Sequence, residues 1–131
     1  MNKQHIIENA QRTYHDHGMR YNLHLDIGPY TLSLGVGDGM YSNPRCGGFE
    51  IDGYTELEGA ILDSEGNLMG HKEIKQKFGP YVASMCEGYG FGDDSSVGEM
   101  LGNSSTIMPY ITWHEVVIVA NIIDTAASAL P

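Results

Sequence analysis

Two neighbouring segments alternate strictly between apolar and polar residues, and they constrain the fold more than any other feature of the chain. In residues 20–27 every second residue is apolar, and residues 30–36 repeat the pattern after the pair Gly28-Pro29. A period of two places successive side chains on opposite faces of a sheet, so each segment predicts a β-strand with one buried face. Because Gly-Pro interrupts regular pairing, it predicts a turn between two successive strands.

Strand patterns continue into the middle of the chain. Further strands are predicted at residues 40–43, 49–52, 54–62 and 67–70. Within the third of these, Glu56 and Glu58 alternate with Leu57, so both carboxylates are expected on the outer, solvated face of the sheet. Residues 63–67 (Asp-Ser-Glu-Gly-Asn) are rich in turn formers and predict a turn into the fourth segment.

An N-terminal helix is predicted over residues 3–17. Its apolar stripe includes Ile6, Ala10 and Tyr14, and Gly18 follows at the position of a helix stop. A helix of this length is short, so it requires tertiary packing to persist.

A C-terminal helix is predicted from about residue 113 to about residue 129. It follows the sequence Thr-Trp-His-Glu at 112–115, which matches a capping box. The apolar residues extend beyond a single stripe and comprise Val116, Val117, Ile118, Val119, Ala120, Ile122, Ile123 and Ala127. Such a helix is either buried on most sides or supplies a self-association surface, and we favour burial against the sheet.

The segment between the strands and the terminal helix mixes several patterns. Residues 71–78 predict a short helix, residues 81–87 a strand, and residues 96–99 (Ser-Val-Gly-Glu) the start of one helical turn. The run 88–92 (Gly-Tyr-Gly-Phe-Gly) predicts an exposed aromatic loop.

Strands grouped together with helices at the ends predict an α+β fold. We expect an antiparallel sheet of about four to six strands packed with an N-terminal and a C-terminal helix. The chain has 131 residues, the size of one domain, so residues 1–131 are expected to form a single α+β domain.

The charge of the chain excludes some classes of partner. Seven Lys and Arg stand against 17 Asp and Glu, which gives a formal net charge of -10 at pH 7. Because this field repels phosphate, direct binding to nucleic acid or to an anionic membrane is not expected. No apolar run approaches the ~20 residues of a membrane helix, and the first residues do not match a signal peptide, so we expect a cytoplasmic protein.

The negative charge is concentrated in two stretches that contain no Lys or Arg. Residues 46–71 hold six acids, and residues 78–131 hold another six. Acids without neighbouring bases repel one another, which lowers stability. This distribution is typical of plain solubility or of an acidic face that meets a basic partner.

The chain lacks the spacings of common catalytic and metal-binding motifs. Cys46 and Cys86 form no CxxC pair, which is typical of free thiols in a reducing cytosol. The six histidines form no HExxH, and His15 and His17 are two apart on the predicted helix, where side chains diverge. We therefore predict no catalytic residue, no metal site and no cofactor, although Cys86 with His114 offers a thiol–imidazole pair.

Several segments carry a resemblance to a known class. They are Gly-Pro-Tyr at 28–30 through Tyr-Ser-Asn-Pro-Arg at 41–45, Tyr-Thr-Glu-Leu-Glu at 54–58, Ala-Ile-Leu-Asp at 60–63, and Pro-Tyr-Ile-Thr at 109–112 with Glu-Val-Val at 115–117. In these segments, which cover about half of the chain, the sequence resembles small accessory proteins encoded by phages and other mobile elements. The shared features are strand and turn residues, so no catalytic residue is carried across.

The resemblance implies a class of function. Small acidic phage proteins of this kind often inhibit host defence complexes, anti-CRISPR proteins among them, and some do so by occupying a nucleic-acid-binding surface. This chain is glycine-rich and only moderately charged. It therefore departs from the most acidic DNA mimics, and a localised acidic contact patch is expected in place of duplex mimicry.

These observations predict a non-enzymatic inhibitor or binding protein that docks an acidic patch on a basic protein partner, such as a CRISPR-type or other nucleic-acid-binding defence complex in a bacterial host. The residues expected to contact the partner are Glu56, Glu58, Asp63, Glu65, Tyr89, Phe91, Asp93 and Asp94. The alternative is a small enzyme or ligand-binding protein with a pocket in the glycine-rich segment 79–102, near Cys86 and His114. A homo-oligomer held by the C-terminal helix is compatible with either function.

Overall fold

Five antiparallel strands form one sheet in the order in which they occur along the chain. The computed structural model describes residues 1–86, 96–103 and 106–130. The strands are β1 (Gln11–His15), β2 (Arg20–Ile27), β3 (Tyr30–Gly37), β4 (Glu56–Leu62) and β5 (Ile107–Thr112). The helices are α1 (Lys3–Asn9), α2 (His71–Cys86), α3 (Ser96–Gly98) and α4 (Trp113–Ser128).

The two alternating segments form the central hairpin, β2–β3. Ile27 pairs with Tyr30, so the turn between them has two residues, and Gly28 occupies the first with φ +60°. A positive φ at this position suits glycine. A Cβ atom on Gly28 would also lie 2.7 Å from the Cβ atom of Ala127 on α4, so the turn approaches this helix closely.

The core lies between one face of the sheet and α4. Leu23 pairs with Leu34, and Leu32 pairs with both Leu25 and Ile61, and all of these side chains are buried. Helix α4 buries Val116, Ile118, Val119, Ala120, Ile122, Ile123 and Ala126. Each fully buried aliphatic side chain of this size contributes about 1.5–3 kcal/mol, so this layer is the main source of stability.

The fold class is therefore confirmed as α+β, with helices at both ends of the chain and a five-stranded antiparallel sheet. The capping box at the start of α4 is confirmed as well, because the Thr112 side chain accepts a hydrogen bond from the Glu115 backbone N–H and the Glu115 carboxylate accepts one from the Thr112 backbone N–H. Since α4 buries its apolar residues within the chain, the preference for burial is confirmed, and self-association through this helix stays a prediction.

The prediction of one helix over residues 3–17 is wrong. Helix α1 ends at Asn9, Ala10 has extended backbone angles, and Gln11–His15 forms β1. The apolar stripe gave no sign of this break, because Tyr14 fits a helical spacing as well as an alternating one. As a strand, the segment pairs with the otherwise open edge of β2 and supplies partners to its backbone groups.

Four other strand predictions in the middle of the chain are corrected. Residues 49–52 are not a strand, because Ile51–Gly53 is a short 3-10 helix. Residues 81–86 are not a strand, because α2 continues from His71 through Pro80 to Cys86, and the last residue of the predicted strand, Glu87, lies outside the described residues. Residues 40–43 and 67–70 contribute only the isolated bridges Asn43 with Glu56 and Leu62 with Leu68. Within the described ranges, no helix has the length and apolar character needed to cross a membrane.

We expect Thr112→Ala to lower the free energy of unfolding by about 1 kcal/mol, because the substitution removes the side-chain acceptor at the start of α4. Urea denaturation followed by circular dichroism measures the change. Ser128→Ala, at the exposed other end of the same helix, is the matched control and should change the value little. Equal losses in the two variants would contradict a capping role for Thr112.

Candidate functional site

The predicted contact residues that the structure describes divide into two pairs along β4. Glu56 begins this strand, and Asp63 follows its last residue, Leu62. Seven residues of extended chain span about 20 Å. The pair Glu56 and Glu58 and the pair Asp63 and Glu65 therefore lie toward opposite ends of the strand rather than in one compact patch.

Glu56 and Glu58 hold a neighbouring loop in place. The Glu58 carboxylate accepts a hydrogen bond from the backbone N–H of Tyr41 at 2.8 Å, and Glu56 accepts one from the side-chain amide of Asn43 at 3.3 Å. Both glutamates are half-buried. They lie on the predicted face of the sheet, but part of their hydrogen-bonding capacity is already used within the chain.

Asp63 and Glu65 lie in the turn after β4. One carboxylate oxygen of Asp63 accepts hydrogen bonds from the backbone N–H groups of Glu65 and Asn67, each at 3.0 Å. This arrangement is typical of an Asp-initiated turn. Because the turn is fixed in this way, the exposed Glu65 side chain is held outward at the end of the sheet.

Four carboxylates surround this end of the sheet. Two adjoining clefts, of about 460 and 430 Å³, share Pro29, Tyr30, Asp63, Ser64 and Glu65 in their linings. Asp26 lines the first cleft, and Glu73 and Lys77 line the second. We call Asp26, Asp63, Glu65 and Glu73, grouped around Tyr30, the acidic end.

The acidic end has a net negative charge at neutral pH, because its four carboxylates face one lysine in the cleft linings. Burial, together with the nearby Glu73 carboxylate, raises the pKa of Tyr30, so its hydroxyl keeps its proton. The ring of Tyr30 makes an edge-to-face contact with the ring of Phe78, with 5.0 Å between the ring centroids. The site therefore places negative charge around a largely buried aromatic ring.

Sequence reasoning missed Asp26 and Glu73. Asp26 is the exposed residue just before the end of β2, and Glu73 lies in the first turn of α2. Their place in the site depends on the strand register: since Thr31 pairs with Leu62, the β2–β3 turn lies beside the turn after β4. Alternation within each strand does not fix the register between strands, so the sequence pattern alone did not bring the two turns together.

Other predicted residues fall outside what the structure describes. Tyr89, Phe91, Asp93 and Asp94 lie outside the described residues, and so does the side chain of Cys86. His114 is exposed in the first turn of α4. The alternative pocket near Cys86 and His114 therefore stays a prediction.

The histidines and the Cys46 thiol are the remaining candidate ligands in the described chain. Across residues 1–86, 96–103 and 106–130, no three His, Cys, Asp or Glu side chains are grouped so that they could hold a metal ion. His15 lies in β1 and His17 in the short 3-10 segment Asp16–Gly18 that follows it, with φ +57°, so the two are not on one continuous α-helix. Cys46 is a free, exposed thiol, as predicted.

One of the acids expected to lack a basic neighbour has one. Asp52 forms an exposed ion pair with Lys3, at 2.9 Å. Exposed pairs of this kind contribute little to stability, typically ~0–1 kcal/mol. The pair nevertheless removes Asp52 from the set of carboxylates that are free to meet a partner.

Comparisons of the chain with protein-family models, with curated proteins and with solved structures found no match.

We expect Glu58→Ala to lower the free energy of unfolding by about 1–2 kcal/mol, because it leaves the Tyr41 backbone N–H without its acceptor. Glu65→Ala removes an exposed carboxylate and should change the value by less than about 0.5 kcal/mol. Urea denaturation of both variants at neutral pH tests whether Glu58 stabilises the fold and Glu65 does not. If the two variants lose equal stability, this distinction is wrong.

Proposed function

We propose that this protein is a non-enzymatic binding protein whose acidic end docks on a basic surface of a protein partner. The observation that carries the proposal is the grouping of Asp26, Asp63, Glu65 and Glu73 around two adjoining open clefts. Asp63 and Asp26 also accept hydrogen bonds within the chain, so the exposed Glu65 and Glu73 are the acids expected to contribute most to docking. Glu56 and Glu58 fix a loop and have a supporting role.

Electrostatics supports docking on a cationic partner. Carboxylates at the rim of an interface mainly accelerate association and select the partner, because complementary fields steer the encounter. The formal net charge of -10 also attracts a cationic partner, at longer range. Binding of this type weakens as salt screens the charges beyond a Debye length of about 10 Å at 0.1 M.

Apolar groups at the acidic end supply contact area next to the charges. Pro29 and Leu130 are exposed and line the second cleft together with Tyr30. Interfaces require such a desolvated centre, because exposed charge pairs alone contribute little affinity. The combination suits a partner that presents Lys or Arg side chains around a small apolar contact.

The partner class that we propose is a nucleic-acid-handling protein, including host defence complexes of the CRISPR type. Surfaces that bind nucleic acid are rich in Lys and Arg, so an acidic ligand of modest size can occupy them. In this role the protein would act as an inhibitor, in line with the resemblance to small phage-encoded accessory proteins. Direct binding to nucleic acid is not part of the proposal, because the charges repel.

The test is affinity capture from a bacterial lysate on the immobilised full chain, with salt-step elution and with duplex DNA added as a competitor. We expect partners with basic nucleic-acid-binding surfaces to elute at moderate salt and to be displaced by duplex DNA. With a purified partner, Glu65→Lys should slow association by about threefold or more at low salt.

Glu8→Lys is the matched control, because it makes the same change in net charge on α1, where Glu8 accepts a hydrogen bond from Gln4. It should slow association less than Glu65→Lys does. Salt-insensitive capture, or equal effects of the two reversals, would count against docking through the acidic end. Circular dichroism verifies that both variants fold.

A further inference from the structure

A third pocket lies at an edge of the sheet, and the proposed function makes no use of it. It has a volume of about 190 Å³ and is lined by Arg12, Tyr14, Tyr21, Phe49 and Glu50, together with Gly18 and Gly48. We call it the edge pocket. Strand β1, which contributes Arg12 and Tyr14, is an outer strand of the sheet, and all five of its residues are exposed.

The floor of the edge pocket contains a buried hydroxyl without a partner. Tyr21 is only 4% exposed, and its hydroxyl makes no hydrogen bond within the described part of the chain. Burial raises the pKa of Tyr21 to about 12, so the group stays a hydrogen-bond donor at neutral pH. Buried hydroxyls in native proteins are usually paired with protein groups or with ordered water. Because the hydroxyl oxygen of Tyr21 is itself buried, Tyr21 packs beneath the pocket and offers no hydrogen bond to a ligand.

Arg12 and Glu50 give the pocket a donor side and an acceptor side. The guanidinium of Arg12 lies 5.8 Å from the ring centroid of Tyr21, and the Tyr14 hydroxyl beside it raises the pKa of Arg12, so the group stays cationic. Arg12 carries N–H donors only, so it can bind acceptor atoms of a ligand. Within the described residues, Arg12 and Glu50 line the same pocket without pairing with each other.

Aromatic rings border the same space. Tyr14 is 57% exposed and lies 5.2 Å from Tyr21 between ring centroids, and Phe49 is 48% exposed and braced by an edge contact with Tyr54. Exposed rings held by a second ring form stacking platforms for planar ligands. The volume lies below the ~300–1,000 Å³ typical of drug-sized ligands, so it suits a single ring system.

We propose that the edge pocket binds a guanine base, presented by a free nucleoside. Guanine offers two neighbouring acceptors, N7 and O6, which match two N–H donors of the Arg12 guanidinium. Its N1–H and exocyclic amino group are neighbouring donors that match the two oxygens of the Glu50 carboxylate. Stacking on Tyr14 and Phe49 supplies the remaining contact.

Other bases fit the same lining less well. Adenine carries no O6 acceptor, and it presents its amino group as a donor beside N7, where Arg12 also donates. Inosine keeps the O6 and N7 acceptors but lacks the exocyclic amino group that faces Glu50. The net charge of the chain disfavours a guanine that belongs to an RNA strand, since each phosphate adds repulsion.

The test is calorimetric titration of the full chain with guanosine, inosine and adenosine at low salt. We expect saturable binding of one guanosine per chain and about tenfold weaker binding of inosine and adenosine. A single-stranded RNA tetranucleotide that contains one guanine should bind no more tightly than guanosine. Tighter binding of the oligonucleotide would overturn the assignment to a free nucleoside.

Variants localise the binding. Phe49→Ala should weaken guanosine binding about tenfold, because it removes one stacking wall. Glu50→Gln should abolish the preference for guanosine over inosine. Tyr21→Phe should leave guanosine binding unchanged and the unfolding midpoint unchanged or raised, since it removes only a buried, unpaired hydroxyl.

Glu65→Gln, at the acidic end, is the control and should leave guanosine binding unchanged. Phe49 and Glu50 are exposed, so circular dichroism of their variants should match that of the original chain. The proposal is overturned if guanosine shows no saturable binding, or if Phe49→Ala and Glu50→Gln bind it as the original chain does. Neither outcome affects docking through the acidic end, which uses different residues.

Discussion

Burial of the apolar face of the β2–β3 hairpin beneath α4 is the interaction on which the rest of the structure depends. Leu23, Leu25, Leu32 and Leu34 form its centre, and each is 0–4% exposed. The Gly28 turn approaches Ala127 so closely that a side chain there would collide with α4. With the hairpin fixed against this helix, β1 and β4 can each add to one edge through backbone hydrogen bonds.

The positions of the acidic end and of the edge pocket follow from this arrangement. In an antiparallel sheet, the turn of one hairpin lies beside the end of the next strand, so Asp26 and Tyr30 approach Asp63 and Glu65. At the β1 edge, Arg12 pairs with Leu23 and Tyr14 with Tyr21, and all five residues of β1 remain exposed. The side of the sheet that faces the core is therefore open to solvent at the β1 edge, where the edge pocket lies.

The carboxylates of this chain have at least three different roles, and residue type alone does not tell which role a given Asp or Glu has. Glu58 and Glu115 accept backbone hydrogen bonds and stabilise a loop and a helix start. Asp52 pairs with Lys3 at the surface. Glu65 and Glu73 line the acidic end. The distinction matters for function, because only carboxylates whose lone pairs and field are directed to solvent can steer a cationic partner.

The sequence by itself determined the fold class, the central hairpin and the capped terminal helix, because each depends on local periodicity or on residues three positions apart. It could also place Glu56 and Glu58 on one face of β4, since alternation needs no partner strand. Only the tertiary structure decided where α1 ends, that residues 81–86 continue α2, and which acids meet Asp63. These outcomes depend on strand register and on pairing between distant segments, and the free energy of such contacts is not contained in any local pattern.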